Sequence, residues 1–576
     1  MQKILNFFNK EFINVNQAAL ILGFFAFFSQ ILGLLRDRSI AHFIGPSASL
    51  DIYYAAFRVP DFIFISIGSL FSVAVLIPFL SKTKINSDPN YNKDNEDFFN
   101  NILSFFILLI IFISVIIFFL LPFFINFLVP GFSLENQNKV VELSRFMLLS
   151  PIFLGLSNLF SSLNQLSHKF FIYALSPLFY NIGIILGILF FYPILGLKGL
   201  AIGVILGAFM HFLIQFLGFS FQGSTLRIQK GRTLEIQFFK SINFTEIKEI
   251  IFISFPRTLG LSLNSLTLMF IVSFASSLES GSISIFNFSF NLYVVPLSII
   301  GLSYAVATFP ALSQSYASGK MEEFKNYLKL AARQIIFWSL PVIFLFIILR
   351  AQIVRVILGS GNFSWEHTRL VAASLAIFSI SILAQGLIAL FARAYYAKGN
   401  TSRPLFINFI SSLSIIIFSI LFLYIFKHYI LFQNFIESIL KVSNIPGTEI
   451  LMLPLAYSFG VLINASLFYF FIKKDILEPK EKFISETFFQ CLSASFAIGL
   501  VSYFMLNILA SRLNTLSPVF GTNTFLGIFL QGFLAGILGI LAGILILFLF
   551  KNEELKQIIK VLKTKFWKVK ISVQDE

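Results

Sequence analysis

A-L-I-L-G-F-F-A-F-F-S-Q-I-L-G-L-L-R-D-R, residues 19–38, runs seventeen positions with nothing more polar than Ser29 and Gln30 before it meets Arg36, Asp37 and Arg38. After a short turn the chain reads D-I-Y-Y-A-A-F-R-V-P-D, residues 51–61, and then continues apolar to residue 80. A helix on a soluble domain carries one apolar stripe; these segments are apolar all round and reach the roughly 20 residues that cross a bilayer core. They read as two membrane spans with ionised side chains inside them. A charge at bilayer depth costs about 2.5–3.5 kcal/mol on insertion scales, so it faces an interior cavity or marks a pathway. Arg36, Asp37, Asp51, Arg58, Asp61, Arg257 and Arg393 are such residues and point to a carrier.

The same pattern continues outward to Phe550. Spans are expected near 15–43, 51–81, 98–128, 140–166, 170–194, 197–221, 247–276, 284–312, 328–357, 367–397, 404–428, 449–473, 486–511 and 524–550. That is about fourteen helices of 20–30 residues. The mean hydropathy of +0.87 and the 12% of charged residues exclude a soluble chain of this length. Lys and Arg gather at Lys3/Lys10, Lys82–Lys93, Arg227–Lys248, Lys320–Lys329, Lys398/Arg403, Lys473–Lys482 and beyond Lys551, while loops such as Gly45–Leu50 carry almost none. By the positive-inside rule both termini and every second loop are cytoplasmic, and the span count is even. The net charge of +15 thus reports orientation and contact with anionic headgroups, not nucleic acid.

A weak internal repeat organises the spans. Residues 45–81 contain D-I-Y-Y-A-A-F-R-V-P and end P-F-L-S; residues 281–313 contain F-N-F-S-F-N-L-Y-V-V-P and end P-A-L-S. Pro60 pairs with Pro296, Pro78 with Pro310, and Gly68 with Gly301. Six spans separate the copies, so both keep one orientation, and parallel repeats of this kind form two lobes. The expected organisation is a lobe at 1–222, a second at 223–475, two further helices at 476–551 and a basic amphipathic tail at 552–576. The 427–449 stretch is read as a connector. Gly199, Gly203 and Gly207, with Gly532/Gly536 and Gly539/Gly543, are read as close-packing faces. The first apolar stretch, lacking a cleavage site, is read as a retained span.

Enzyme chemistry has no foothold in the sequence. No phosphate-binding glycine loop occurs, and His42, His168, His211, His367 and His428 are scattered. With Cys491 as the lone cysteine, neither a disulfide nor a cysteine metal site is available. No metal and no cofactor is expected. Arginine, by contrast, stays charged in a low dielectric and grips phosphate oxygens with two parallel bonds. Asp51 and Arg58 fall roughly on one helix face. Pairing of Arg38 with Asp51 at the outer interface, and snorkelling of Arg257 from behind Pro256, are the bland readings of the same residues.

The stretches F-S-Q-I-L-G-L-L-R-D (Phe28–Asp37), F-I-G from Phe43 and D-I-Y-Y-A-A-F-R-V-P (Asp51–Pro60) together resemble the opening signature of the MurJ (MviN) family, the lipid II flippases of bacterial peptidoglycan synthesis. P-R-T-L-G-L-S from Pro256, G-S-I-S from Gly281, P-A-L-S from Pro310 and A-R-A-Y-Y-A-K-G-N-T-S-R-P (Ala392–Pro404) follow in family order. Beyond about residue 405 the likeness is one of hydropathy alone. The resemblance implies an all-α polytopic fold of the multidrug/oligosaccharidyl-lipid/polysaccharide exporter superfamily. It has two six-helix lobes around a cationic cavity, plus two C-terminal helices forming a groove for a lipid tail.

It also implies alternating access, lipid II and membrane lipids as partners, and the cell-wall synthesis machinery as a further partner. The expected location is the bacterial inner membrane. Arg36 corresponds to a cavity arginine, Asp37 and Asp51 to two acidic gating positions, and Arg58 to a cationic site. Three family arginines are replaced here by Gln30, Phe64 and Asn291, and the acid some members use for sodium is Ile271. Arg257, with Arg58, is expected to supply the missing charge. A flippase for lipid-linked polysaccharide and a divergent non-transporting homologue remain the alternatives. A small-molecule multidrug exporter is disfavoured by arginines where carboxylates and aromatics are expected.

Overall fold

The computed structural model describes residues 15–71, 76, 91–167, 169–220, 243–476, 485–516, 521 and 524–567. The P-F-L-S stretch at 78–81, His168, the basic segment 221–242 and the tail beyond Trp567 lie outside the described residues. Every regular element described is helical, and the chain divides into compact units Met1–Ser284 and Ile285–Glu576.

The first unit contains α1 (Val15–Phe43), α2 (Ala48–Ile63), α3 (Tyr91–Leu128), α4 (Leu134–Met147), α5 (Leu149–Leu166), α6 (Phe170–Leu186), the single turn α7 (Tyr192–Leu195), α8 (Leu197–Ser220) and α9 (Phe244–Ser276). Ser47 starts α2 by accepting from the Leu50 N–H, after a turn in which Gly45 takes φ +67°. The glycine face of α8 does what its spacing predicts. A Cβ on Gly183 or Gly187 of α6 and its π-turn would overlap the backbone of Gly207 or Gly203, so the two helices touch main chain to main chain. Polar residues between these apolar helices are mutually satisfied. Asn164 donates to the Gln215 side chain at 2.7 Å, Gln215 donates to Ser176 at 2.6 Å, and Lys169, 1% exposed, donates to the Gly218 carbonyl at 2.8 Å.

Helix α9 is expected from the sequence to open the second lobe, yet it belongs to the first compact unit. Hydrogen bonds hold it there: Ser66 to Ser262 and Ser69 to Thr258, both 3.0 Å, and Asn101 to Glu246 at 2.8 Å.

The second unit comprises α10 (Ser282–Leu297, whose first turn lies in the first unit), α11 (Ser303–Ala317), α12 (Met321–Ile348), α13 (Arg350–Leu358), α14 (Trp365–Ser379), α15 (Ile382–Ala397), α16 (Ser402–His428), α17 (Ile430–Leu440), α18 (Met452–Asp475), α19 (Ser485–Leu516), α20 (Phe525–Leu549) and α21 (Glu553–Trp567). The predicted span 367–397 is broken, with α14 and α15 meeting at 44°. Ser379 and Ser381 lie at the break and turn their hydroxyls onto the carbonyls of Leu375 and Phe378, a local bond that bends apolar helices. The connector at 427–449 contains a helix, α17. Its C-terminal carbonyls are taken by Arg350 on Leu440 (3.3 Å) and Arg369 on Lys441 (3.0 Å from Nε). The tail helix α21 begins docked: Arg333 of α12 pairs with Glu554 at 2.6 Å and Glu553 at 3.0 Å.

Eleven helices among the described residues are long and apolar enough to cross a membrane, or twelve if the bent pair is one span. Fourteen is not reached there. The expected spans 15–43 and 51–81 correspond to α1 and to α2 with its π-turn, and the second runs out of the described residues.

The repeat has a structural counterpart that its prolines only approximate. Helices α2 and α10 are both 16 residues long, and each is continued by a five-residue π-turn, Phe64–Gly68 and Ser298–Leu302. Pro60 stands three residues before the end of α2, whereas Pro296 stands one before the end of α10. Helix length and π-turn are in register; the prolines are not.

Candidate functional site

Three elements of the first unit bring charge together inside an apolar bundle. Ser29 and Arg36 are seven residues apart on α1, two turns along one face. Both reach Asn181 of α6: Nη1 of Arg36 donates to its side-chain oxygen at 3.2 Å, and its amide donates to Ser29 at 3.5 Å. Nε and Nη2 of Arg36 converge on one oxygen of Asp37, at 3.0 and 2.8 Å. The Asp37 side chain is 4% exposed and that of Arg36 is 24% exposed, so the pair is dry on one side and open on the other.

Tyr53 and Tyr54 of α2 lie within electrostatic reach of both Arg36 and Asp37. Arg58, half-buried one turn further along α2, interacts with Asp61 and Tyr54. Tyr180 of α6 is close enough to feel Arg36 and Asp61. Arg36, Asp37 and Arg58 are therefore gathered in one polar neighbourhood built from α1, α2 and α6. Asn181, Tyr180 and the tyrosine pair were not anticipated as members. The signal for Asn181 was in the sequence: a lone amide in the apolar run F-Y-N-I-G-I-I.

Asp51 is placed elsewhere and partnered differently. It is 2% exposed and accepts from the Gly281 N–H at 2.7 Å, the Ser284 N–H at 2.8 Å and the Ser284 hydroxyl at 2.5 Å. The expected arginine partner is replaced by a helix N-terminus. The first N–H groups of α10 have no carbonyl four residues back, and the helix dipole puts positive charge there, so a carboxylate satisfies both. Gly281 makes the approach by taking φ +94°, where a side chain would also press on Pro46.

Arg257 is half-buried on α9, beside the Thr258 that bonds Ser69. Gln30 on α1 and Phe64 in the first π-turn are also half-buried, as is Asn291 on α10 of the second unit. Ile271 is 1% exposed, in apolar packing. In the second unit the A-R-A-Y-Y-A-K-G-N-T-S-R-P stretch converges on Asp475 at the end of α18. The Tyr395 hydroxyl donates to its carboxylate at 3.0 Å, Arg403 lies at 3.9 Å, and Lys398 reaches its carbonyl. That motif ties α15, α16 and α18 together, while its Arg393 bonds back to the Ala389 carbonyl at 3.1 Å.

Chemically, the α1–α2–α6 cluster offers a guanidinium whose charged contacts all go to one carboxylate oxygen. Its third contact goes to a neutral amide oxygen. An anionic group entering from the open side can displace that weaker partner and gain a charge-assisted bond.

Comparison with known proteins identifies the family. The family model described as "Lipid II flippase MurJ" matches residues 40–524. The chain is 26% identical over 407 residues to a probable lipid II flippase of Buchnera aphidicola subsp. Schizaphis graminum, covering 69% of this chain and 76% of that one. It is 26% identical over 459 residues to a probable lipid II flippase of Borreliella burgdorferi, covering 78% and 81%. Among solved structures, a lipid II flippase in an inward closed conformation superposes with a TM-score of 0.70 at 22% identity, covering 94% of this chain and all of that one. An inward-facing multidrug resistance MATE family transporter of the MOP superfamily gives a TM-score of 0.62 at 15% identity, covering 78% and 94%. These two structures share the fold; the family model, spanning most of the chain, decides membership. The chain belongs to the MurJ family of lipid II flippases.

Proposed function

We propose that this protein carries a lipid-linked, pyrophosphate-bearing cell-wall precursor of the lipid II type from the inner to the outer leaflet of a bacterial cytoplasmic membrane. It acts by alternating access, without covalent catalysis and with both termini on the cytoplasmic side. The observation that carries the reading is the half-open Arg36, held by Asp37 and Asn181 among predominantly apolar helices. Guanidinium groups there exchange protein partners for pyrophosphate oxygens, and Arg58 and Arg257 add the charge that Gln30, Phe64 and Asn291 do not supply. Asp51, on the first turn of α10, acts as a catch whose release frees that helix end. A substrate bound more tightly in one state biases the equilibrium toward it.

The test is rescue of a bacterium depleted of its own lipid II flippase, scoring lipid II exposed on the outer leaflet. The wild-type chain restores exposure; Arg36→Ala and Arg257→Ala reduce it. A wild type that inserts but restores nothing refutes lipid II as the cargo. That outcome favours the polysaccharide-lipid or non-transporting alternative. Growth with an Arg257→Ala variant at the wild-type level refutes the compensation by Arg257.

A further inference from the structure

In the first unit, α3 and the α4–α5 pair enclose an open groove of about 1020 Å³, lined by Val115, Phe118, Phe119, Arg145, Leu149 and Ile152 among others. This volume is at the upper end of small-molecule sites, roughly 300–1,000 Å³. Two side chains in it keep hydrogen-bonding capacity that no described residue uses.

The first is Arg145. Pro122 has no N–H to give, which leaves the Phe118 carbonyl one turn back without its helical partner. Nε of Arg145 takes that carbonyl at 2.9 Å, and the guanidinium stacks 4.5 Å above the Phe118 ring. The proline, the carbonyl and the ring thus fix the guanidinium plane. Its two terminal nitrogens donate to no described residue. The nearby carboxylate of Glu142 is already held by Lys198 at 2.6 Å, so the groove retains one uncompensated positive charge.

The second is Ser114, 7% exposed and one turn from Phe118, about 6 Å along the helix. Serines in these helices return their hydroxyl to the carbonyl four residues back, as Ser104 does on Asn100 and Ser176 on Ile172. The Ser114 hydroxyl is buried with no partner.

We propose that this groove is a binding site for one anionic phospholipid of the surrounding membrane. The lipid phosphate accepts from the terminal nitrogens of Arg145, an ester oxygen accepts from Ser114, and an acyl chain lies along α3 against Val115 and Ile152. Charge complementarity selects the occupant: an apolar trough open to lipid, one fixed planar cation at its end, and one hydroxyl donor a turn away. The site rests on the chain spanning a membrane and not on what it transports, so its failure leaves the proposed transport reading untouched.

The experiment is native mass spectrometry of the full-length protein, equilibrated with vesicles containing phosphatidylglycerol and then released from mild detergent. Wild type retains one phosphatidylglycerol-mass adduct. Arg145→Gln lowers its occupancy about tenfold, as loss of a charge-assisted contact does. Val115→Trp fills the trough without touching the arginine and lowers occupancy as well. It decides the matter if Arg145→Gln does not fold. Lys139→Gln, in an exposed pair on the same helix, keeps the adduct. An adduct undiminished in both groove variants, or one with the mass of an isoprenyl pyrophosphate lipid, overturns the assignment.

Discussion

Replacing Arg36 by alanine disturbs two things at once, the fold and the cargo site, and Asp37 allows them to be separated. The substitution removes three hydrogen bonds, two to Asp37 at 3.0 and 2.8 Å and one to Asn181 at 3.2 Å. It also withdraws the cation closest to a carboxylate that is 4% exposed. Breaking a buried ion pair from one side costs about 3–5 kcal/mol. Because Arg36 is 24% exposed, water recovers part of this, and about 2–4 kcal/mol is expected. At about 2–4 °C per kcal/mol for folding units of a few hundred residues, Arg36→Ala lowers the melting temperature in detergent by roughly 4–16 °C.

Adding Asp37→Asn removes the stranded charge, and the double variant recovers to within about 1 kcal/mol of wild type. Transport behaves differently. The headgroup loses a charge-assisted contact in both variants, about 1.5–3 kcal/mol or one to two orders of magnitude in apparent affinity. Outer-leaflet exposure of lipid II therefore stays low in the single and the double variant alike. If the double variant regains both stability and transport, Arg36 is only the counter-ion of Asp37 and the headgroup argument fails.

Asp51→Asn leaves one acceptor where the carboxylate had two and turns an amide N–H₂ toward the α10 donors, costing about 2–3 kcal/mol; Ser284→Ala, which removes only the hydroxyl contact, costs about half that. Melting temperatures of the two variants in detergent check the ordering, and equal losses would contradict the helix-capping geometry. Gly187→Leu forces α6 off α8, where a Cβ already overlaps Gly203, so the yield of monodisperse protein on size exclusion collapses, whereas Gly196→Leu on the open turn meets no neighbour and suffers only from its positive φ. Glu554→Gln removes the 2.6 Å pair with Arg333 and frees the start of α21, so trypsin cleaves after Lys556 and Lys560 several-fold faster. Unchanged cleavage would show that α21 is held by its apolar face alone.

Much of the fold was legible because lipid imposes a simple rule: every backbone group in the hydrocarbon must be satisfied within a helix, so apolar length reads directly as a span. Contacts that override that rule were less legible. The break between Ser379 and Ile382 comes from hydroxyls bonding locally, and three serines from 374 to 381 give no periodic signal of a bend. Helix α17 was hidden because eleven residues are too few to span and its stability comes from Arg350 and Arg369, distant in sequence. The grouping of α9 with the first unit depends on serine and threonine contacts that leave no trace in hydropathy.

The site divides along the same line. Arg36, Asp37 and Arg58 were readable because charge in an apolar run is costly and has to be explained. Asp51 was equally visible but its partner was not, since a helix N-terminus has no side chain to announce it. Phe64, which the family resemblance sets against a cavity arginine, lies in a π-turn whose glycine, Gly68, packs against the Phe64 ring, so a cation at that place would need the turn to be rebuilt. A cation is then accommodated on a neighbouring helix more easily than at Phe64. Arg58 and Arg257, each half-buried and each on an element bonded to that π-turn or continuous with it, are the residues on which such recovery can act. Restoring arginine at Phe64 should accordingly destabilise the first unit without improving transport, a result measurable in the same rescue strain. A gain in lipid II exposure from Phe64→Arg would mean that this position still accepts a cavity cation and that the compensation is unnecessary.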